Sequence, residues 1–199
     1  MATAAANVLN QTQFTVRRKV LKLLGGAFHI YDTNEQVIGY SKMKAFKLKE
    51  DIRLYTGEDM TTELITIKAR SIIDFGASYD VYDAQQGVKV GALRRKGLKS
   101  MIRDEWHVLD PQDRQIGMIQ EDSTMLALVR RFVEMASYFL PQKYVVTIGG
   151  QPVAYFQQNY NPFVYKLSVD LTSDSAGLFD KRLALASGLL MAAIEGKQS

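Results

Sequence analysis

The sequence predicts an α+β protein dominated by strands: a closed antiparallel barrel of about twelve strands around a buried C-terminal helix, with one amphipathic helix outside it. Three observations lead to this fold. A hairpin pattern recurs along the chain, the spacing of apolar residues changes near Ser123, and the last helical segment is apolar on every side. With 199 residues the chain is large enough for one domain with a substantial core.

The hairpin pattern occurs three times, with a less regular fourth copy: FHIYDTNEQVIG from Phe28, YDVYDAQQGVKVG from Tyr79, WHVLDPQDRQIG from Trp106 and YVVTIGGQPVA from Tyr144. The first three copies place an aliphatic residue two positions after the aromatic and an aspartate four positions after it. Such a unit predicts a strand, a tight turn and a returning strand. The recurring residues Asp32, Asp83 and Asp110 are expected to cap their turns by accepting hydrogen bonds from backbone amides.

The N-terminal residues MATAAANVLNQTQ have neither the basic start nor the continuous apolar stretch of a signal peptide. Residues 1–13 are therefore expected to form a mobile tail, and residues 14–196 a single domain. Phe14 to Leu24 is strand-like, and Gly25-Gly26 is expected to turn the chain into the first hairpin. Alternating apolar and charged residues between Phe46 and Leu54 predict further strands with one buried face.

From Ser123 onward the apolar residues recur at spacings of three and four, which predicts an outer amphipathic helix near Thr124 to Phe139. Pro141 ends that segment. Strands resume at Tyr144, and Phe163 to Leu171 alternates strictly, as a strand with one buried face does.

The last segment, Asp180 to Glu195, is apolar around its whole circumference after its first three residues. A helix of this kind must be enclosed on every side, and a sheet closed into a barrel can enclose it. Its apolar run is shorter than the roughly 20 residues that a membrane-spanning helix needs. No transmembrane span is therefore predicted.

Taken together, the aromatic-x-aliphatic-x-Asp hairpins, the stretch LRRKGLKSMIRDEW, the helix before FLPQKY, the strand NPFVYKLSVDL and the apolar terminal helix resemble the LURP-one-related family. That family is similar to the phospholipid scramblases and to the tubby C-terminal domain. The resemblance covers Phe14 to Ile194 and implies a twelve-stranded barrel threaded by the C-terminal helix. It also implies functions associated with phosphoinositide headgroups, lipid movement between leaflets, or plant defence.

The best candidate for a binding site is a basic stretch without acidic residues, composed of Lys89, Arg94, Arg95, Lys96, Lys99 and Arg103. Clustered guanidinium and ammonium groups are suited to phosphate, since arginine can offer it two donors. Arg94 and Lys96 share one strand face, and Arg95 takes the other. A run of charges is, however, more often the solvated face of a strand.

Catalytic chemistry finds little support in the sequence. No glycine-rich phosphate loop, nucleophile elbow or zinc spacing is present, and the chain has no cysteine. The two histidines, His29 and His107, follow the aromatic residue in two hairpins and are expected to be exposed, since their parity opposes the core. No catalytic, cofactor-binding or metal-ligating residue is predicted. The absence of cysteine fits a reducing compartment.

The sequence therefore predicts a non-enzymatic cytoplasmic module, at the membrane periphery or in solution, that binds anionic phospholipid headgroups or another phosphorylated ligand. A net charge of +4 is too small to indicate a nucleic-acid partner. A protein-interaction or regulatory scaffold is the alternative, and phospholipid scrambling a more remote one. An exposed apolar patch, or a partner retained at high salt, would favour the scaffold.

Overall fold

The computed structural model describes residues 2–21, 25–44, 51–71, 77–96, 105–122, 142–159 and 164–195. The outer helix predicted near Thr124 to Phe139 lies outside these residues. Within them, the chain forms twelve strands and two helices.

The strands follow one another around a closed barrel, each antiparallel to its neighbours, and the first pairs with the last. This arrangement confirms the predicted mainly-β barrel. Strand lengths run from four to nine residues: β1 Gln13–Leu21, β2 Gly25–Tyr31, β3 Val37–Lys44, β4 Ile52–Tyr55, β5 Glu63–Ser71, β6 Ser78–Asp83, β7 Val88–Arg95, β8 Glu105–Leu109, β9 Gln115–Glu121, β10 Lys143–Ile148, β11 Gln151–Asn159 and β12 Lys166–Asp170.

Because the strands alternate in direction, the barrel has two distinct ends. At the turn end, even-numbered strands finish and short hairpin turns lead into odd-numbered ones. At the loop end, odd-numbered strands finish, and the connections to the next strand vary in length, from residues 22–24 between β1 and β2 to residues 122–142 between β9 and β10. Every feature described below lies at one of these ends or on the wall between them.

The repeated hairpins are the pairs β2–β3, β6–β7, β8–β9 and β10–β11. Their aspartates cap the turns as predicted. Asp32 Oδ1 accepts hydrogen bonds from the amides of Asn34 and Gln36, and Asp110 Oδ1 accepts them from Gln112 and Arg114, each at 2.9 Å. Asp83 does the same for Gln85 and Gln86. Local bonding of this kind explains the recurrence of aspartate at this position.

The C-terminal helix, Lys181–Glu195, runs through the barrel and is buried from Leu183 to Ile194. Small residues keep the helix narrow where the wall is close: a Cβ added at Gly188 would lie 3.2 Å from Val169 and 3.4 Å from Phe14. Asp180 caps the helix, with its Oδ1 accepting from the amide of Arg182 at 2.8 Å. The prediction of an enclosed apolar helix is confirmed.

The N-terminal segment differs from the expected mobile tail, because Ala2–Leu9 forms a helix. We name this helix α1 and the C-terminal helix α2. Val8 of α1 is buried, and Lys181 Nζ of α2 donates to the carbonyl of Asn10 at 2.9 Å. The prediction of a mobile tail came from the absence of a signal-peptide pattern, and it did not take into account that the segment has apolar residues to bury. The start of the domain at residue 14 stays a prediction.

The expected turn at Gly25-Gly26 is wrong. Both glycines belong to β2, where they pair with Leu21 and Val20 of β1 and with Lys44 and Met43 of β3. The link between β1 and β2 is therefore residues 22–24, which lie outside the described part of the chain.

Candidate functional site

Four of the six basic residues predicted as a site are described, and the barrel wall separates them into different environments. Lys89 lies near the turn end of β7, whereas Arg94 and Arg95 finish that strand at the loop end, followed by Lys96. Arg94 and Lys96 are exposed, and Arg95 is half-buried. Lys99 and Arg103 lie outside the described residues.

Lys89 belongs to an ion-pair network across β5, β6, β7 and the β8–β9 turn. Its Nζ lies 2.9 Å from Asp80 Oδ1 and 2.7 Å from Asp113 Oδ1, and Arg70 contacts the same two carboxylates. Hydrogen bonds from Arg70 and then Lys89 lower the pKa of Asp113 to about 2. Two carboxylates already balance the two cations, so this network offers little net charge to an anion.

Lys96 also has an acidic neighbour, since its Nζ lies 3.1 Å from Glu105 Oε1. Burial by itself raises the pKa of Glu105, but hydrogen bonds from Lys96, Gln120 and His107 outweigh it and hold the pKa below its usual value. The side chain of Lys96 is still 53% exposed. An exposed surface ion pair contributes little free energy, so Lys96 can exchange this partner for another anion.

Arg95 and Arg94 point to opposite sides of the wall, as their parity predicts. Arg95 pairs in register with the buried Trp106, and its guanidinium carbon lies 5.8 Å from the centre of the indole ring. Arg94 lies opposite His107 in the strand register, and His107 is half-buried. Within the described residues, Arg94 makes no ion pair, so among the four it is the cation most available to a ligand.

A second basic group lies on the far side of the barrel, and the sequence analysis missed it. Arg17 of β1 and Lys166, the first residue of β12, are direct cross-strand partners on the outer face. Like charges placed directly opposite each other destabilise a sheet. In the part of the chain that the structure describes, neither side chain forms an ion pair with a carboxylate. Only the pairing of the first strand with the last brings these two residues together.

The charged groups are separated along the barrel axis. Exposed or half-exposed cations lie toward the loop end on several sides of the barrel, namely Lys42, Arg94, Lys96, Lys143 and Lys166, whereas Arg17 is the central residue of β1. The turn end carries the carboxylates of the turns, namely Asp32, Glu35, Glu58, Asp59, Asp110, Asp113, Asp174 and Asp180. The separation is partial, because Lys89, Arg114, Lys181 and Arg182 also lie at the turn end and Asp51, Glu105, Glu121 and Asp122 at the loop end; among the described residues each end has an excess of one sign.

His29 does not match the exposed position expected for it. It is 7% exposed, and its Nε2 lies 2.6 Å from Glu58 Oε1, in the β4–β5 turn that folds over the outside of β2. Its ring also packs against Tyr40, with ring centres 5.2 Å apart. His107 is half-buried beside Glu105, at 3.1 Å. The alternation of side chains along β2 correctly places His29 on the outer face of the barrel. It does not show that the β4–β5 turn covers that face.

The described cavities lie away from the basic residues at the loop end. One of about 400 Å³ at the turn end is lined by Asp83, Asp180 and Arg182, among others. Arg182 donates to Asp83 Oδ2 at 2.9 Å and to Asp180 Oδ2 at 2.6 Å, so each of these three charged groups has an oppositely charged partner. The described residues contain no cluster of three potential metal ligands and no helix long and apolar enough to cross a membrane.

The fold places the protein in the class of antiparallel barrels filled by their own C-terminal helix. The chain belongs to the LURP-one-related family, whose model matches residues 37–191. No curated protein matches it. A protein of Arabidopsis thaliana solved by X-ray crystallography is similar at 16% identity and a TM-score of 0.49, over 96% of this chain and 95% of the other.

Proposed function

We propose that this protein is a non-enzymatic module of the cytoplasm that binds anionic phospholipid headgroups, or another phosphorylated ligand, through the basic end of β7. Arg94 and Lys96 are the central contacts, and Lys99 and Arg103 continue the same basic stretch of sequence. Arg95 supports the site from the inner side of the wall. Lys89 contributes least, because Asp80 and Asp113 already hold it.

The observation that carries the proposal is that Arg94 is exposed, has no carboxylate partner within the described residues and lies at the loop end of the barrel. Arginine can bind phosphate with two parallel hydrogen bonds, and an anionic membrane adds about 1 kcal/mol for each nearby basic residue. Binding of this kind needs no bond making, which agrees with a sequence that supplies no set of acid, base and nucleophile.

The test is flotation of the protein with phosphatidylcholine liposomes that contain or lack phosphoinositide. Replacing Arg94 and Lys96 together by alanine removes about 2 kcal/mol of attraction, so binding is expected to weaken roughly thirty-fold at low salt. Arg114→Gln is the matched control, because Arg114 is exposed but lies at the turn end beside Asp110. Unchanged binding in the double variant would reject the site, and no binding by the wild type would reject the lipid function.

The dependence of binding on salt concentration distinguishes this proposal from the alternative of a protein-interaction scaffold. Headgroup binding by exposed cations is screened at high ionic strength, whereas an interface with an apolar centre persists. Exposed Val88 and Leu178 line a groove of about 310 Å³ at the turn end, and this is where such an interface would form. A pull-down partner retained at high salt and lost in Leu178→Asp would favour the scaffold.

A further inference from the structure

A block of the outer wall, at the seam where the first strand pairs with the last, carries hydrogen-bond donors and no carboxylate. Val16 of β1 and Leu167 of β12 are fully buried in the lumen, so the residues on either side of them face outward. The register continues the same outer face onto β11. The block consists of Thr15 and Arg17 of β1, Lys166 and Ser168 of β12, and Gln157 and Asn159 of β11.

The two cations of this block differ from other cations on the outside of the barrel. On β4 and β5, for example, Arg53 Nη1 lies 3.1 Å from Glu63 Oε2. Arg17 and Lys166 lie directly opposite each other, and neither has a carboxylate partner among the described residues. Like charges in this position destabilise the sheet, and an anion from outside would offset their repulsion.

Two carboxylates border the block, and both are bonded to other groups. Asp170, further along β12, accepts a hydrogen bond from Gln13 at 3.0 Å. Glu58 lies 2.6 Å from the Nε2 atom of His29, which is the partner of Arg17 on β2. An anion bound at the block would therefore meet cations that no described carboxylate already holds.

The spacing of the block suits a tetrahedral phosphate. Directly opposed residues have Cβ atoms about 5 Å apart, so Arg17 and Lys166 can reach one anion together. Thr15 and Ser168 lie two residues away along the same strands, a distance of about 7 Å that the two long side chains can span. The two hydroxyl oxygens are 3.4 Å apart. A hydrogen bond between them uses one proton, which leaves the other for a ligand.

We propose that this block is a second anion site, which binds the phosphate group of a phosphomonoester. Arg17 offers two donors, Lys166 a second positive charge, and Thr15 and Ser168 a hydroxyl proton. The inference goes beyond the proposed function, because β1 and β7 are six steps apart in the ring of strands. A soluble phosphomonoester and a phosphorylated lipid headgroup present the same chemistry to these side chains.

The test uses a full-length chain that carries Arg94→Ala and Lys96→Ala, so that the site of the proposed function does not contribute. Its thermal midpoint is measured with increasing inorganic phosphate at constant ionic strength, since a ligand of the folded state raises the midpoint. Lys166→Glu is then added. It places a carboxylate opposite Arg17, so the midpoint without phosphate is expected to be no lower than that of the parent, whereas the response to phosphate is expected to be lost.

Two further variants separate the site from a general effect of charge. Arg53→Gln with Arg114→Gln lowers the net charge by the same amount as Lys166→Glu, and its phosphate affinity is expected to match that of the parent. Thr15→Val with Ser168→Ala keeps both cations and is expected to weaken phosphate roughly ten-fold, the effect of losing a hydrogen bond to a charged group. A parent without a response to phosphate, or an equal loss in the two charge variants, would overturn the inference.

Two more probes identify the source of the phosphate. Inositol trisphosphate is titrated by calorimetry, and phosphatidylcholine vesicles with phosphatidylinositol bisphosphate are tested by flotation. Binding that Lys166→Glu abolishes with the vesicles alone would assign a lipid headgroup, and with the soluble compound a soluble ligand. Binding of neither probe would overturn the inference. The proposed function is decided separately, by the effect of Arg94 and Lys96 in an otherwise wild-type chain.

Discussion

At the scale of single residues, close packing limits most strictly which side chain a position can hold. Gly117 of β9 lies between Val108 and Ile148 in the sheet register. A Cβ built at this position would lie 2.1 Å from the carbonyl oxygen of Thr147 and 2.5 Å from Ile148 Cδ1. The carbonyl belongs to the neighbouring strand and cannot move without disturbing the pairing of β9 with β10.

Gly117→Ala is therefore expected to destabilise the protein by about 1–3 kcal/mol, the range for overpacking a tight site. Urea unfolding followed by circular dichroism measures the change. Gly57→Ala is the control, because the nearest atom to its added Cβ is Asp59 Oδ1 at 3.6 Å. Its free energy of unfolding is expected to stay within about 0.5 kcal/mol of the wild type. Equal losses in both variants would contradict this account.

At the scale of secondary-structure elements, one arginine joins the second hairpin to the enclosed helix. Arg182, in the first turn of α2, donates to Asp83 of β6 and to Asp180 before the helix. Asp83 is 2% exposed and also caps its turn. Burial by itself raises the pKa of Asp83, but the bond from Arg182 and the two turn amides outweigh it and lower the pKa. Asp83 therefore has two roles, whereas Asp32 has one.

Asp83→Ala is expected to cost about 3 kcal/mol, because it removes a buried carboxylate that both caps its turn and pairs with Arg182, and it leaves Arg182 with Asp180 as its remaining partner. Asp32→Ala removes only a turn cap and is expected to cost about 1 kcal/mol. Urea midpoints of the two variants measure the difference. Asp83→Asn keeps an acceptor for the turn amides and should fall between them. Equal costs for Asp83→Ala and Asp32→Ala would show that the contact with Arg182 contributes nothing.

The elements were predictable from the sequence wherever their signals are local. Each of the first three hairpin copies carries its aromatic, its aliphatic and its capping aspartate within a few residues, and α2 is apolar on every side, which predicts its enclosure. The helix Ala2–Leu9 lacked such a signal, because a short alanine-rich segment reads equally well as a tail. Its role depends on what Val8 contacts after folding.

The candidate site was less predictable, because its charges depend on pairing between distant residues. Lys89 appeared free in a stretch without acids, yet the fold brings Asp80 and Asp113 to it. Arg17 and Lys166 appeared unrelated, yet closure of the barrel makes them neighbours. The alternation of residues along one strand predicts which face of the sheet a side chain lies on. It does not predict which residue of the neighbouring strand lies opposite.

At the scale of the whole molecule, the local rules for turns produce the charge separation. Asp32, Asp83 and Asp110 add their carboxylates to the same end of the barrel, because each caps the turn that follows an even-numbered strand. Many of the described cations lie toward the other end, although Lys89, Arg114, Lys181 and Arg182 lie at the turn end. The excess of carboxylates at the turn end is therefore in part a consequence of how the repeated hairpin is capped.

The acidic end also predicts how stability responds to pH. The pKa values of Asp80, Asp83, Asp110 and Asp180 are lowered, and that of Asp113 to about 2. A carboxyl with a lowered pKa in the folded state stabilises the fold above its ordinary pKa of about 4, and this stabilisation is lost as the pH falls. Urea midpoints are therefore expected to decline between pH 5 and pH 2, roughly the span between these values. Arg70→Gln removes a partner of Asp80 and Asp113, so it should be less stable than the wild type at pH 6, and the two midpoints should converge near pH 2. A constant gap between them at every pH would show that the ion-pair network does not stabilise the fold.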